Sequence, residues 1–175
     1  MATREISVQR FSLTTSKPFQ EIVTAIDAQI GHPDMKVFQQ AINAAKNAAD
    51  LAKVVQGAIG PSGFMEFARF DQGEILRKEQ GTTARPVLRM VIGNPLIMKE
   101  MVKLTPDAGS YAPVTVLIDE REDGIHLSYD RMADLLAPYG SQESLNVAQD
   151  LDARVESLLK AVAGWPVRQW PTFRH

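Results

Sequence analysis

The spacing of apolar residues predicts a chain that alternates between helices and short strands. Residues 19–30 place apolar side chains at helical spacing, and the Gly-His-Pro sequence at 31–33 predicts the end of that helix. A second helical region covers residues 34–59. Within it, Asn47 has an acidic residue three positions later, as is typical of a helix start, so we expect two consecutive helices there.

Segments in which apolar residues alternate with polar ones indicate strands. They occupy residues 6–13, 64–70, 74–78, 86–92, 114–119 and 125–129. We expect residues 71–73 and 120–124 to form tight turns, and strands joined by such turns pair antiparallel. The sequence therefore predicts an α+β fold, with one mostly antiparallel sheet of about five to six strands and helices packed on it.

Three further helices are predicted from their capping residues. Asn94 precedes a short helix that reaches about residue 104, and Asp130 is placed to cap a second short helix. Ser141 is placed to cap the last long helix, in which the apolar residues between positions 145 and 162 form one buried stripe.

The strand-to-helix corner at Gly93, Asn94 and Pro95 is the first candidate binding site. Pro95 suits the first helical position because its missing N–H would be unpaired there anyway. The N–H groups of Leu96 and Ile97 would then point outward at the positive end of the helix dipole, where an anion can bind. Alternatively, Asn94 satisfies these donors with its own side chain, and the corner is only a capped helix start.

Two basic residues near this corner complete the predicted ligand site. Arg89 lies on the strand before the corner, and Lys99 lies on the helix after it. The predicted ligand-binding residues are Gly93, Asn94, Leu96, Ile97, Arg89 and Lys99.

His126 is the candidate catalytic residue, because it is the only histidine within a predicted strand. Strand alternation places His126 and Ser128 on one face of the sheet and Tyr129 on the other. A catalytic base needs an orienting partner and a nearby substrate. The catalytic candidates are therefore His126, Tyr129 and Asp130, with Asp130 paired to an arginine such as Arg89 across the sheet. The alternative is a half-exposed histidine without a catalytic role.

Composition excludes several classes of function. The chain has 175 residues, no cysteine and three scattered histidines, so we expect no thiol chemistry and no metal site. The glycine patterns of dinucleotide and phosphate-binding loops are absent, and we expect no cofactor. A net charge of −2, with both signs interspersed, predicts no nucleic-acid partner. No apolar run approaches the ~20 residues of a membrane span, so we expect a soluble, cytoplasmic protein.

Residues 1–163 are predicted to form a single domain, within which the helical segment at about residues 33–60 is an addition. Residues 164–175 differ in composition, with both tryptophans, two prolines and no acidic residue. A tail of this kind suits docking onto a partner protein or a second subunit.

Four segments of the chain resemble a known family. They are residues 10–27, with the sequence RFSLTTSKPFQEIVTAID, and residues 93–107, 112–119 and 123–129. Together they are similar to the family catalogued as domain of unknown function 302, and the likeness covers most of residues 5–162. It implies an α+β fold and a homodimer, and it implies no established activity. Gly93 and Val114 stand where many members carry cysteine, so no thiol or metal role carries over.

These observations leave three hypotheses for the function. The first is a non-enzymatic homodimeric module that binds a small anionic or partly apolar ligand between the sheet and the helices. The second is an interaction protein that acts through residues 164–175. The third is an enzyme with a site centred on His126.

Overall fold

The computed structural model of the protein describes residues 3–166, and it confirms the α+β fold. Its five strands are β1 (Arg10–Thr15), β2 (Met65–Asp71), β3 (Val87–Gly93), β4 (Val114–Arg121) and β5 (Gly124–Asp130). They form one sheet in the order β1-β5-β4-β3-β2, and every neighbouring pair is antiparallel.

Seven α-helices accompany the sheet in this part of the chain. They are α1 (Phe19–Asp27), α2 (Met35–Ala44), α3 (Ala48–Gln56), α4 (Gln72–Gln80), α5 (Pro95–Val102), α6 (Met132–Leu136) and α7 (Gln142–Ala163). The predicted caps of α3 and α7 are confirmed, since the Asn47 and Ser141 side chains accept from backbone N–H groups three residues later. Among residues 3–166, no helix has both the length and the apolar character to cross a lipid bilayer.

The main core lies between the helices and one face of the sheet. On β5, Ile125, Leu127 and Tyr129 are buried on this face, as the predicted alternation requires. We call the opposite side the open face; on β5 it carries His126 and Ser128. A smaller apolar cluster lies where α2 and α3 meet the start of β2; its buried members are Phe38, Val55 and Met65.

The strand predicted at residues 74–78 is wrong, because this segment belongs to helix α4. Asp71 caps the helix by accepting a hydrogen bond from the Glu74 N–H at 2.8 Å. Glu74 also forms an ion pair with Lys78, one turn later, at 2.9 Å. Gly81 ends the helix with a φ of 71°, which favours glycine. These local helix signals outweigh a short alternation that contains few apolar residues.

β1 is displaced toward the C-terminus from the strand predicted at residues 6–13. It pairs only with β5, and Arg10 lies opposite Asp130, the last residue of β5. Because β5 ends there, the residues before Arg10 lack a strand to pair with. At its other end, β1 continues to Thr15, which lies opposite Ile125.

Helix α6 begins without the cap predicted from Asp130. The Asp130 carboxylate instead accepts two hydrogen bonds of 2.7 Å from Arg10 on β1. The N–H groups of Met132 and Ala133 donate to the carboxylate of Asp152, at 2.8 and 3.0 Å. The helix is therefore capped by a residue of α7 rather than by its own neighbour in sequence.

The Asp152 carboxylate is the centre of a buried polar network. The Tyr129 hydroxyl donates to Asp152 Oδ1 at 2.5 Å, and both residues are buried. Burial raises the pKa of Asp152 and also that of Tyr129. The three donors offset the cost of enclosing the carboxylate, and the network joins β5, α6 and α7 at one point.

The two edge strands of the sheet are β1 and β2. The first part of β2 is covered, because Gly31 donates to the Phe64 carbonyl and accepts from the Glu66 N–H. The register between β2 and β3 then shifts between Glu66 and Ala68, which marks a β-bulge.

Replacing Asp152 with alanine should lower the free energy of unfolding by about 3–5 kcal/mol, because the Tyr129 hydroxyl and two helix N–H groups would lose their acceptor in the core. Urea denaturation measures this change. Gln149→Ala, at an exposed site on the same helix, is the control and should stay within about 0.5 kcal/mol of the parent. A loss below about 1 kcal/mol for Asp152→Ala would contradict the structural role of the carboxylate.

Candidate functional site

The predicted corner between β3 and α5 is confirmed, and Asn94 caps the helix. The Asn94 Oδ1 atom accepts from the Leu96 N–H at 2.9 Å, and the Asn94 backbone carbonyl accepts from the Ile97 N–H at 3.1 Å. Both donors expected to hold an anion are thus bonded within the chain. The alternative interpretation expected the Asn94 side chain to satisfy both donors; the side chain accepts from Leu96, and the backbone carbonyl accepts from Ile97.

Asn94 also ties the corner to a distant turn. It is buried, with 4% of its surface exposed, and its Nδ2 donates to the Gly63 carbonyl at 2.9 Å. Gly63 belongs to the turn that precedes β2, so one side chain holds the start of β2 against the end of β3. This bond makes Asn94 a positioning residue for the surroundings of the corner.

A cavity of about 80 Å³ lies beside the corner, between the sheet and the helices. We call it the corner cavity; it is lined by Phe67, Gly93, Asn94, Pro95, Ile97, Met98, Met101, Ala112, Pro113, Val114 and Leu151. Asn94 is the only lining residue with a polar side chain, so the cavity favours an apolar group. Of the six predicted ligand-binding residues, Gly93, Asn94 and Ile97 line it.

Gly93 controls the space at one wall of the corner cavity. A Cβ atom at this position would lie 3.1 Å from the Pro113 Cβ and 3.4 Å from the Phe67 ring. The first of these distances is tighter than ordinary van der Waals contact. Glycine therefore leaves open a space that any other residue would narrow.

The other three predicted ligand-binding residues lie elsewhere. Leu96 packs against the cluster formed by α2, α3 and β2. Lys99 forms an ion pair with Glu100 at 3.2 Å. Arg89 lies on the open face, where it donates to the Thr115 hydroxyl at 3.4 Å and lies 5.7 Å from the Phe70 ring centre. Arg89 does not line the corner cavity, because it lies four residues before Gly93 along β3, roughly 13 Å away.

The three catalytic candidates do not meet in one cleft. His126 is bonded to Asp123 at 2.8 Å, and this hydrogen bond lowers the pKa of Asp123. Tyr129 points to the opposite face and binds Asp152. Asp130 is on the same face as His126, but four residues along a strand separate the two by roughly 13 Å. The partner of Asp130 is Arg10 rather than Arg89.

One group of possible metal ligands was not predicted from the sequence. Asp27, His32 and Glu66 bring ligand atoms within 4.8 Å of one another. The Arg69 guanidinium already binds both carboxylates, and its hydrogen bond to Asp27 raises its pKa. His32 Nε2 lies 3.1 Å from the Asp27 carbonyl. An internal arginine therefore supplies the positive charge that a metal ion would bring.

The aromatic tail lies largely outside the described residues. Trp170 and Phe173, on which the interaction hypothesis depends, are among residues 167–175. Trp165 is described and is 54% exposed. The backbone N–H of Trp165 donates to the Lys160 carbonyl at the end of α7.

Comparisons with known proteins identify relatives of the chain. The family model described as "Domain of unknown function DUF302" matches residues 41–162, a range that includes α3 from the helical segment expected to be an addition. Among solved structures, the chain is similar to an uncharacterized conserved protein DUF302 from Bacillus stearothermophilus, with a TM-score of 0.59 and 11% identity. The alignment covers 86% of this chain and 95% of that chain, and at this identity it supports the fold alone. No curated protein matches the chain.

Replacing Asn94 with alanine should lower the free energy of unfolding by about 2–3 kcal/mol. The change removes the helix cap and leaves the partly buried Gly63 carbonyl without its donor. Asn146→Ala is the control, since Asn146 is exposed on α7 and, within residues 3–166, its side chain bonds only to Gln142. Urea denaturation of both variants tests the prediction, and equal losses at the two sites would contradict the role of Asn94.

Proposed function

The chain belongs to the DUF302 family, and from that premise we propose that it is a non-enzymatic module that binds a small, partly apolar ligand in the corner cavity. The observation that carries the proposal is the position of this cavity at the strand-to-helix corner, where apolar side chains surround a single amide. Pockets that combine an apolar lining with few polar groups are typical of small-molecule sites.

The size of the cavity restricts what it can enclose. An engineered apolar cavity of ~150 Å³ in another protein binds benzene. The corner cavity, at about 80 Å³, holds a smaller group, such as the end of an alkyl chain. The remaining part of the ligand would extend toward solvent. The buried Asn94 amide keeps one hydrogen and one lone pair that no bond within residues 3–166 uses.

The separation of the catalytic candidates supports binding rather than catalysis. An acid–base site needs its groups within hydrogen-bond reach of one substrate atom. Here Tyr129 and His126 lie on opposite faces of the sheet. Tyr129 is committed to Asp152, and His126 is paired with Asp123 near the β4–β5 turn.

Two short-chain alcohols, 1-butanol and 1-hexanol, serve as probes for the corner cavity. In protein with ¹³C-labelled methionine methyl groups, we expect saturable shifts at Met98 and Met101, which line the cavity. We expect no comparable shift at Met132, which lies outside its lining. The melting temperature should rise with the logarithm of alcohol concentration once the concentration exceeds the Kd, because the ligand binds the folded chain.

The matched variants are Gly93→Ala and Gly109→Ala. The first places a methyl group against Pro113 and should weaken alcohol binding by about tenfold or more, whereas the second adds a methyl group near only one neighbouring side chain. Unchanged Met98 and Met101 signals at the highest probe concentration would refute the proposal. Equal affinity in the two glycine variants would place the alcohol at another site.

We also propose that the chain forms a homodimer, which the family resemblance supports. Light scattering should then give twice the chain mass of 19.3 kDa. A version that ends at Pro166 keeps all of α7, and we expect it to remain dimeric. A monomeric full-length chain would contradict the dimer, and loss of the dimer on truncation would favour the interaction hypothesis for the tail.

A further inference from the structure

The open face carries a second depression, which is distinct from the corner cavity. It has a volume of about 190 Å³ and lies at the end of the sheet where β5 leads into α6. Arg10, Thr115, Leu117 and Ser128 form its floor on three adjacent strands, and Tyr111 and Leu135 lie beside it. Val114 is the one lining residue that the two cavities share.

Ser128 is the unusual residue of this depression. Only 6% of its surface is exposed, yet within residues 3–166 its hydroxyl makes no hydrogen bond. Every fully enclosed side-chain nitrogen or oxygen of the described chain has a partner, so the Ser128 oxygen is reachable from the depression. A hydroxyl that is nearly buried, yet reachable from the depression and not bonded within residues 3–166, is available to donate a hydrogen bond to a bound polar group.

The charges around the depression favour an anion. Arg10 uses its Nε and Nη2 atoms to bind Asp130, which leaves its Nη1 hydrogens available. Asp130 is held ionised, because the Arg10 hydrogen bonds lower its pKa, so this pair is neutral overall. Arg89 donates to Thr115 on the floor, and none of the described acids pairs with it. Arg10 and Asp130 are the charged residues that line the depression, and Arg89 adds a second guanidinium beside its floor.

The depression also has apolar surface. Leu117 lies on the floor next to Ser128 in the β4–β5 register, and Leu135 comes from α6. A volume of about 190 Å³ exceeds the ~150 Å³ that accommodates benzene in an engineered cavity of another protein. The space is therefore sufficient for one aromatic ring or a short branched chain with a charged end.

We propose that this depression binds small carboxylates with an apolar body. The carboxylate accepts hydrogen bonds from the Ser128 hydroxyl and from the free side of the Arg10 guanidinium, while the apolar body packs on Leu117 and Leu135. Bonds from a charged guanidinium to a carboxylate are the stronger type of hydrogen bond, and they give the site its preference for anions.

Benzoate tests the proposal against two molecules of the same shape, neutral benzamide and cationic benzylamine. Calorimetric titration of the full chain should show benzoate binding about tenfold or more tightly than either. The benzoate affinity should fall with added salt, because solvent-accessible charges contribute to it. The backbone amide signals of Thr115 and Ser128 should shift on titration with benzoate.

Ser128→Ala and Ser12→Ala are matched variants, because the two serines lie opposite each other on β5 and β1 and only Ser128 lines the depression. Ser128→Ala should weaken benzoate binding by about tenfold or more, and Ser12→Ala should leave it unchanged. Without ligand, Ser128→Ala should melt at about the parent temperature, since no hydrogen bond within residues 3–166 is lost.

Three results would overturn the proposal. Benzylamine could bind as tightly as benzoate, the two serine variants could bind benzoate equally well, or Ser128→Ala could melt clearly below the parent. The Gly93→Ala variant separates this site from the corner cavity, since it should lose alcohol binding and keep benzoate binding. If Gly93→Ala lost benzoate binding and both serine variants kept it, benzoate would bind in the corner cavity. The function proposed above would then stand.

Discussion

The buried carboxylate of Asp152 is the contact on which the arrangement of this end of the molecule depends. It receives the Tyr129 hydroxyl from β5 and two N–H groups from the start of α6, and thereby fixes the angle between strand and helix. Because α6 is held in this way, Leu135 lies beside the end of the sheet. Because Asp152 caps α6, the Asp130 carboxylate does not, and it binds Arg10 instead. The depression on the open face follows from these contacts.

Asn94 has the corresponding role at the C-terminal end of β3, beside the same end of β4. It closes the start of α5 and, through Gly63, holds the start of β2 nearby. The corner cavity lies in the space that remains where these elements meet β4 and α7. Both cavities therefore lie beside polar residues that stabilise the fold, and both take their shape from junctions between a strand and a helix.

Features set by nearby residues could be predicted from the sequence. The caps at Asn47, Asn94 and Ser141 depend on donors within three positions, and the alternation of β5 depends on burial of one face. Helix α4 was not predicted, because residues 71–73 resemble a tight turn between two strands. The cap at Asp71 and the ion pair between Glu74 and Lys78 favour a helix instead. The Asp152 cap was missed because its donors lie at positions 132 and 133, and no pattern in sequence connects them.

The same distinction applies to the sites. Gly93 and Asn94 are recognisable as a corner, but Phe67, Pro113 and Leu151 reach the corner cavity from separate elements. Alternation places Ser128 on the open face, whereas its burial and its unpaired hydroxyl depend on neighbours from other strands. Arg89 is close to the corner in sequence, but four residues of an extended strand place it roughly 13 Å from Gly93.

The bulge in β2 has a consequence for how the molecule behaves at high concentration. A flat, unpaired outer strand is a template on which another chain can add by hydrogen bonding, and this is a common route to aggregation. Gly31 forms a β-bridge with Met65 and so pairs with the outer edge of β2 at its start. The bulge between Glu66 and Ala68 then interrupts the regular hydrogen bonding between β2 and β3. The charged residues Arg69 and Asp71 follow. This side of the molecule is therefore protected against uncontrolled polymerisation.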